Sequence, residues 1–166
     1  MKKNIWIIVV IVLLLPYTIK AWAEYTIRLQ GWDLVDSGKH LDWDGESAYL
    51  TQFKYGVKQW ESHRAGVIRE DTLTIIEDLK IQDKNEGNNG YAATTTGAGT
   101  MVFNTYYMSN YSTNKKRNIA IHELGHALGL DHRAGEGDTV MQESVTSIIV
   151  LCEGDKVNYD EAYKGY

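Results

Sequence analysis

Cysteine and proline are nearly absent from this chain of 166 residues, which carries one of each. A single cysteine, Cys152, excludes an internal disulfide, so the fold must rest on its core. The expectation for Cys152 is a buried core residue. The one proline, Pro16, lies near the N-terminus. Everything after it is free of proline-rich linkers, repeats and low-complexity tracts, which leaves no boundary between two domains. Positive charge is in the minority, with 17 Lys and Arg against 22 Asp and Glu and a formal net charge of −5. That balance argues against nucleic acid or an anionic membrane as partner, because both call for a basic patch.

Long hydrophobic runs are missing too. The longest, residues 5–15, falls short of the roughly 20 residues that span a bilayer. It follows Lys2 and Lys3, stops at Pro16, and leads to Ala21-Trp22-Ala23, with small residues at both positions a signal peptidase reads. The expectation is a signal peptide over residues 1–23, a single secreted, extracellular domain over residues 24–166, and no stable membrane span. An uncleaved N-terminus acting as a tether is the competing reading. A chain of this size can bury a real core.

Histidine is scarce as well, and three of the five fall between positions 122 and 132. That stretch reads His-Glu-Leu-Gly-His-Ala-Leu-Gly-Leu-Asp-His. Residues four apart share one face of a helix, so His122 and His126 can grip one metal ion together. Glu123 sits beside the first ligand, placed to act as a general base rather than as a ligand. Gly129 lets the chain leave the helix through a left-handed turn that swings His132 back as third ligand. Three nitrogens leave the fourth tetrahedral position of zinc open, the mark of a catalytic rather than a structural site.

The spacing H-E-x-x-H-x-x-G-x-x-H resembles the metzincin clan of zinc endopeptidases, most closely its matrixin branch. The resemblance implies an α+β (α/β-like) fold, a twisted and mostly parallel sheet over an active-site helix with a C-terminal helix. It also implies a methionine floor under the metal, for which Met141 in Thr139-Val140-Met141-Gln142 is the candidate. Arg133, directly after the third histidine, departs from the residues that mark the named branches. No tyrosine closely follows Met141, so the tyrosine ligand of the astacin-like and serralysin-like branches is missing. The implied activity is hydrolysis of peptide bonds by water that zinc activates and Glu123 deprotonates. Substrate would be a protein or peptide lying extended along an edge strand, with Tyr91, Ala92, Ala93 and Thr94 as the candidate edge. The alternative is a zinc-binding protein without catalysis, or a membrane-tethered interaction protein.

Periodicity places the elements. Residues 25–29 alternate and read as a first strand. Tyr49, Phe53, Val57 and Trp60 recur at helical spacing, with Ser47 as N-cap. Residues 72–79 read as a second strand, residues 82–90 as a polar loop, and residues 91–95 and 99–105 as two short strands. Thr113 or Asn114 caps a zinc helix running to about Leu128, and residues 155–163 form a closing helix. Trp32 and Trp43 are expected to cover one end of the core. His40 and His63 read as ordinary surface residues. Asp83, Glu86, Asn88 and Asn89 offer hard oxygens, which makes calcium a second candidate cation, though the pattern of a dedicated calcium loop is missing.

Overall fold

The computed structural model describes residues 25–71 and 76–166. The expected signal peptide lies outside the described residues, as does the first half of the strand expected over residues 72–79. Nine elements follow in order: β1 (Leu41–Gly45), α1 (Leu50–His63), β2 (Ile68–Glu70), β3 (Leu79–Lys84), β4 (Ala93–Thr96), β5 (Thr100–Asn104), α2 (Thr105–Met108), α3 (Thr113–Ala127) and α4 (Glu153–Gly165). The strands form one sheet in the order β2-β1-β3-β5-β4. Four of them run parallel and β4 alone is antiparallel, paired to β5 at the sheet's edge. This is the mostly parallel α+β arrangement expected.

Helices α1 and α3 pack on each other and bury most of the apolar side chains between themselves and the sheet. In α1 the spacing of Phe53, Gly56 and Trp60 puts all three on the buried face. Trp60 then spends its one polar atom on α3, its Nε1 donating to the Ile121 carbonyl at 3.0 Å. From Asn118 to Ala127 helix α3 is buried almost all round, and only His122 in that stretch is partly accessible. Both helices approach closely because Gly56 has no side chain. A Cβ there would lie 3.0 Å from Leu124 Cδ1 and 3.2 Å from the backbone of α3.

Several local expectations need correction. Residues 25–29 join no sheet; they make a single bridge, Leu29 to Leu130, beside the third-histidine loop. Ile27 and Leu29 are exposed, so their alternation marks no buried face. Within residues 72–79 only Leu79 is in a strand among the described positions, and Ile76 is 85 % exposed. The polar stretch from 82 begins inside β3, because parallel pairing to β5 runs on to Lys84. The cap of α1 is Tyr49, two residues after Ser47, whose hydroxyl instead accepts from the Tyr49 N–H and donates to Asp83. Helix α3 is capped by Ser112, one residue earlier than expected, its Oγ accepting from Lys115 N. Trp43 lies in the core within β1, while Trp32 lies over Gly97.

The contact between α1 and α3 can be tested directly. Gly56→Leu overpacks it and should cost about 3 kcal/mol in urea unfolding. Lys58→Leu, on the exposed face of the same helix, should stay within about 0.5 kcal/mol of the parent.

Candidate metal centre and catalytic cleft

His122 and His126 stand one turn apart on α3, and the end of that helix delivers the third histidine. Leu128 caps it, Gly129 turns left-handed at φ +86°, and two crossed bonds close the turn. Gly129 N–H donates to His126 O and Leu130 N–H to Gly125 O, both at 2.9 Å, the paired bonds of a Schellman motif. Only glycine accepts this backbone without strain. The turn does more than stop the helix. It aims the Leu130 carbonyl at His126 Nδ1, 2.9 Å away. On His122 the Val140 carbonyl plays the same part, 3.0 Å from Nδ1.

Those two carbonyls settle the tautomers. An N–H on Nδ1 leaves Nε2 with a bare lone pair. The Nε2 atoms of His126 and His122 each lie 3.2 Å from His132 Nε2. Tetrahedral zinc with Zn–N bonds of about 2.05 Å would set its ligand nitrogens roughly 3.3 Å apart. Lone pairs gathered this closely in a half-buried site repel one another unless a cation lies between them. Burial, with like charge from His126 after it, pushes His122 down to about 3, and burial lowers His126. Both rings are therefore neutral near pH 7, the form that binds metal. The three residues fit zinc.

Sequence spacing predicted the triad; it says nothing of the side chains behind it. Gln30 is one, its Nε2 donating at 3.1 Å to the Leu130 carbonyl, the same oxygen that accepts from His126 Nδ1. Its own segment is stitched to the third-histidine loop by Gln30 N–H to Gly129 O at 2.7 Å and Asp131 N–H to Arg28 O at 3.1 Å. Arg133 is the other. Its side chain is fully buried and pairs with Asp155 at 3.3 Å and with Glu136. Asp155, equally buried, also accepts from Thr139 Oγ1, from Val140 N at 3.2 Å and from Cys152 N at 3.0 Å. The departure from the branch patterns at position 133 thus has a structural use. Arg133 ties the residue after the third histidine to the start of α4.

Met141 is fully buried, and a Cβ at Gly125 would collide with its sulfur. That explains a glycine between Leu124 and His126: the methionine needs the space. Cys152 departs from the core expectation. It is half-buried at the start of α4, its thiol pushed up by burial and lying 3.6 Å from Arg133 Nη1. His63 is no plain surface residue, since its Nε2 lies 3.0 Å from Asp160 and links α1 to α4. His40 lies 3.7 Å from Asp36. The four oxygen-bearing residues run from the end of β3 into the loop after it, and each is already engaged, with Asn89 Nδ2 donating to Glu86 at 3.1 Å. Asp83 holds Ser47 and Ala48, Glu86 pairs with Lys84, and Asn88 and Asn89 accept from Tyr107 and Tyr91.

A cleft of about 560 Å³ opens over the triad, with Tyr91, Ala92, Ala93 and Thr94 along one wall, α3 beneath, and Gln142, Glu143, Ser144 and Val145 opposite. Glu123 lies on its floor, 6 % exposed, and Thr95 Oγ1 donates to its Oε2 at 2.8 Å. Burial pushes this carboxyl up to about 7, against the pull of the Thr95 hydrogen bond.

With this geometry in place, comparison decides the family. The model of the Peptidase_M43 family, described as pregnancy-associated plasma protein-A, matches residues 74–165. The chain belongs to the Peptidase_M43 family. As a member it is a metzincin-type zinc peptidase, a hydrolase acting on proteins or peptides. Among solved structures, archaemetzincin from Methanopyrus kandleri superposes with a TM-score of 0.55 at 14% identity, covering 78% of this chain and 99% of that one. Myroilysin superposes with a TM-score of 0.53 at 14% identity, covering 74% and 90%. At that identity both speak for the fold of this M43 chain. No curated protein matches it. Support extends to the clan and not to the matrixin branch.

The Arg133–Asp155 pair gives a stability test. Asp155→Ala strands a buried guanidinium and should cost about 3–5 kcal/mol in urea unfolding. Thr139→Val removes one donor to the same carboxylate and should cost about 1.5–3 kcal/mol.

Proposed function

We propose that this M43 peptidase is a secreted endopeptidase, with His122, His126 and His132 as zinc ligands and Glu123 as general base. The observation that carries the reading is the Glu123 carboxyl, nearly buried on the floor of the cleft beside the three imidazoles. A carboxyl raised toward 7 can take a proton and give it back near neutral pH. Zinc, when bound, supplies Lewis acidity toward water and toward the scissile carbonyl.

The protein's own groups do the rest. Thr95 occupies Glu123 Oε2, so the proton travels on Oε1, from the attacking water to the departing amine. Val140 and Leu130 hold two imidazoles in the ligand tautomer. Met141 closes the site from below. Substrate lies along the outer edge of β4, the last strand of the sheet. There Ala93 turns its backbone groups away from β5 with little side chain in the way, while the Ala92 carbonyl accepts from Asn104 N, and Tyr91, 64 % exposed, lines the groove. A peptide paired along an edge strand can run on past the cleft in both directions, which suits cleavage within a chain. Among the described residues no helix is long and apolar enough to cross a membrane. The charge and cleavage pattern of residues 1–23 supports export.

Glu123→Ala should lose at least 10²-fold in kcat on a quenched peptide library while retaining one zinc per chain. Full activity in that variant would remove Glu123 from the mechanism. N-terminal sequencing of exported protein should read from Glu24; a sequence starting at Met1 would favour the tether.

A further inference from the structure

Cations sit on the wrong end of helix α3. Its first turn contains no acid, and Lys115, Lys116 and Arg117 occupy consecutive positions near the N-terminus, where the helix dipole favours negative charge. Two of the three have a structural outlet away from the cleft, Lys116 over the Tyr49 ring at 5.6 Å and Arg117 over the Tyr55 ring at 4.4 Å. Lys115 does not. It lines the catalytic cleft, on the helical face it shares with Ile119, His122, Glu123 and His126. Seven residues of helix put its backbone about 10 Å from that of His122, the reach of a substrate side chain a few residues from the cut bond.

Three features mark this ammonium as a recognition group. Among the described residues it makes no ion pair. Its only recorded partner is the face of Tyr111, 5.2 Å from Nζ, and a ring positions a charge without neutralising it. No other cation lines the cleft. On the facing wall Glu143 is the competing charge, but it is exposed, on a segment without regular structure, whereas Lys115 is half-buried on a rigid helix. Asn118, between them, is already used by Ile148 O and Thr146 N.

We infer that Lys115 is a specificity-determining residue that selects substrates carrying a carboxylate side chain where they cross the N-terminal half of α3 in the cleft. This rests on the peptidase reading above and adds the substrate class to it: acidic peptide segments.

Zinc-loaded protein spanning residues 24–166 should be given peptides sharing one cleaved bond, with Glu, Gln or Lys at each of three positions on either side. At one position on one flank Glu should exceed Gln in kcat/KM by about fivefold, the worth of a partly exposed ion pair. Lys115→Met should bring that ratio close to one, Lys115→Arg should keep it, and Lys115→Glu should invert the order of Glu and Lys. Equal Glu/Gln ratios in the parent and Lys115→Met at every position would overturn the inference and leave the peptidase standing. Cleavage of no peptide by the zinc-loaded parent would overturn both.

Discussion

One buried carboxylate, Asp155, holds the catalytic half of this molecule in register. The chain from Gly129 to Leu151 contains no helix and no sheet strand, yet it carries His132, the buried Met141 and one wall of the cleft. Regular hydrogen bonding cannot fix such a segment, so a charge does. Asp155, in the first turn of α4, gathers Arg133, Thr139, Val140 and Cys152 around its two oxygens. The chain continues to the metal site: Val140 N–H donates to Asp155, and the Val140 carbonyl accepts from His122 Nδ1. A residue 33 positions from His122 in sequence is therefore two bonds from it in space. Burying an ion pair gains little net stability over an apolar core, because desolvation offsets attraction. What it supplies here is a unique arrangement, since any other packing leaves a buried charge alone.

The same economy explains how much could be read beforehand. Local, periodic features were legible. The zinc helix, its glycine turn, α1, α4 and the hairpin of β4 and β5 all rest on spacings shorter than twenty residues. Parallel strands β1 and β2 were not, because three to five residues such as Ile68-Arg69-Glu70 show no clear period and gain their identity from a neighbour far along the chain. Gln30, Arg133 and Asp155 were invisible for a related reason. Such a polar group is recognisable only through its partner, and those partners lie 100 and 22 positions away. The clan was legible in residues 119–141 because His122, Glu123, His126, Gly129 and His132 stand at the spacing one metal centre requires. The branch could not, because what distinguishes it lies in loops whose chemistry is not local.

Gly125 and Gly56 show the cost of placing a site on a core helix. Helix α3 must approach α1 closely enough to exclude any side chain at Gly56, and must admit Met141 beneath the ligands at Gly125. Both sites are glycines inside or beside helical runs, where glycine costs about 1 kcal/mol relative to alanine. The structure accepts that loss because a helix buried on nearly all sides moves little, and ligands one turn apart on it inherit its rigidity.

The triad itself is a store of repulsion. Two rings have their Nδ1 protons committed to carbonyls, so their remaining lone pairs can turn only toward one another and toward His132. Nearby, Glu123 is a carboxyl kept from water. A divalent cation held by the three nitrogens would satisfy those lone pairs. Zinc binding is therefore coupled to folding in this protein: the core aims the nitrogens, and a metal that binds only the aimed set stabilises the folded chain.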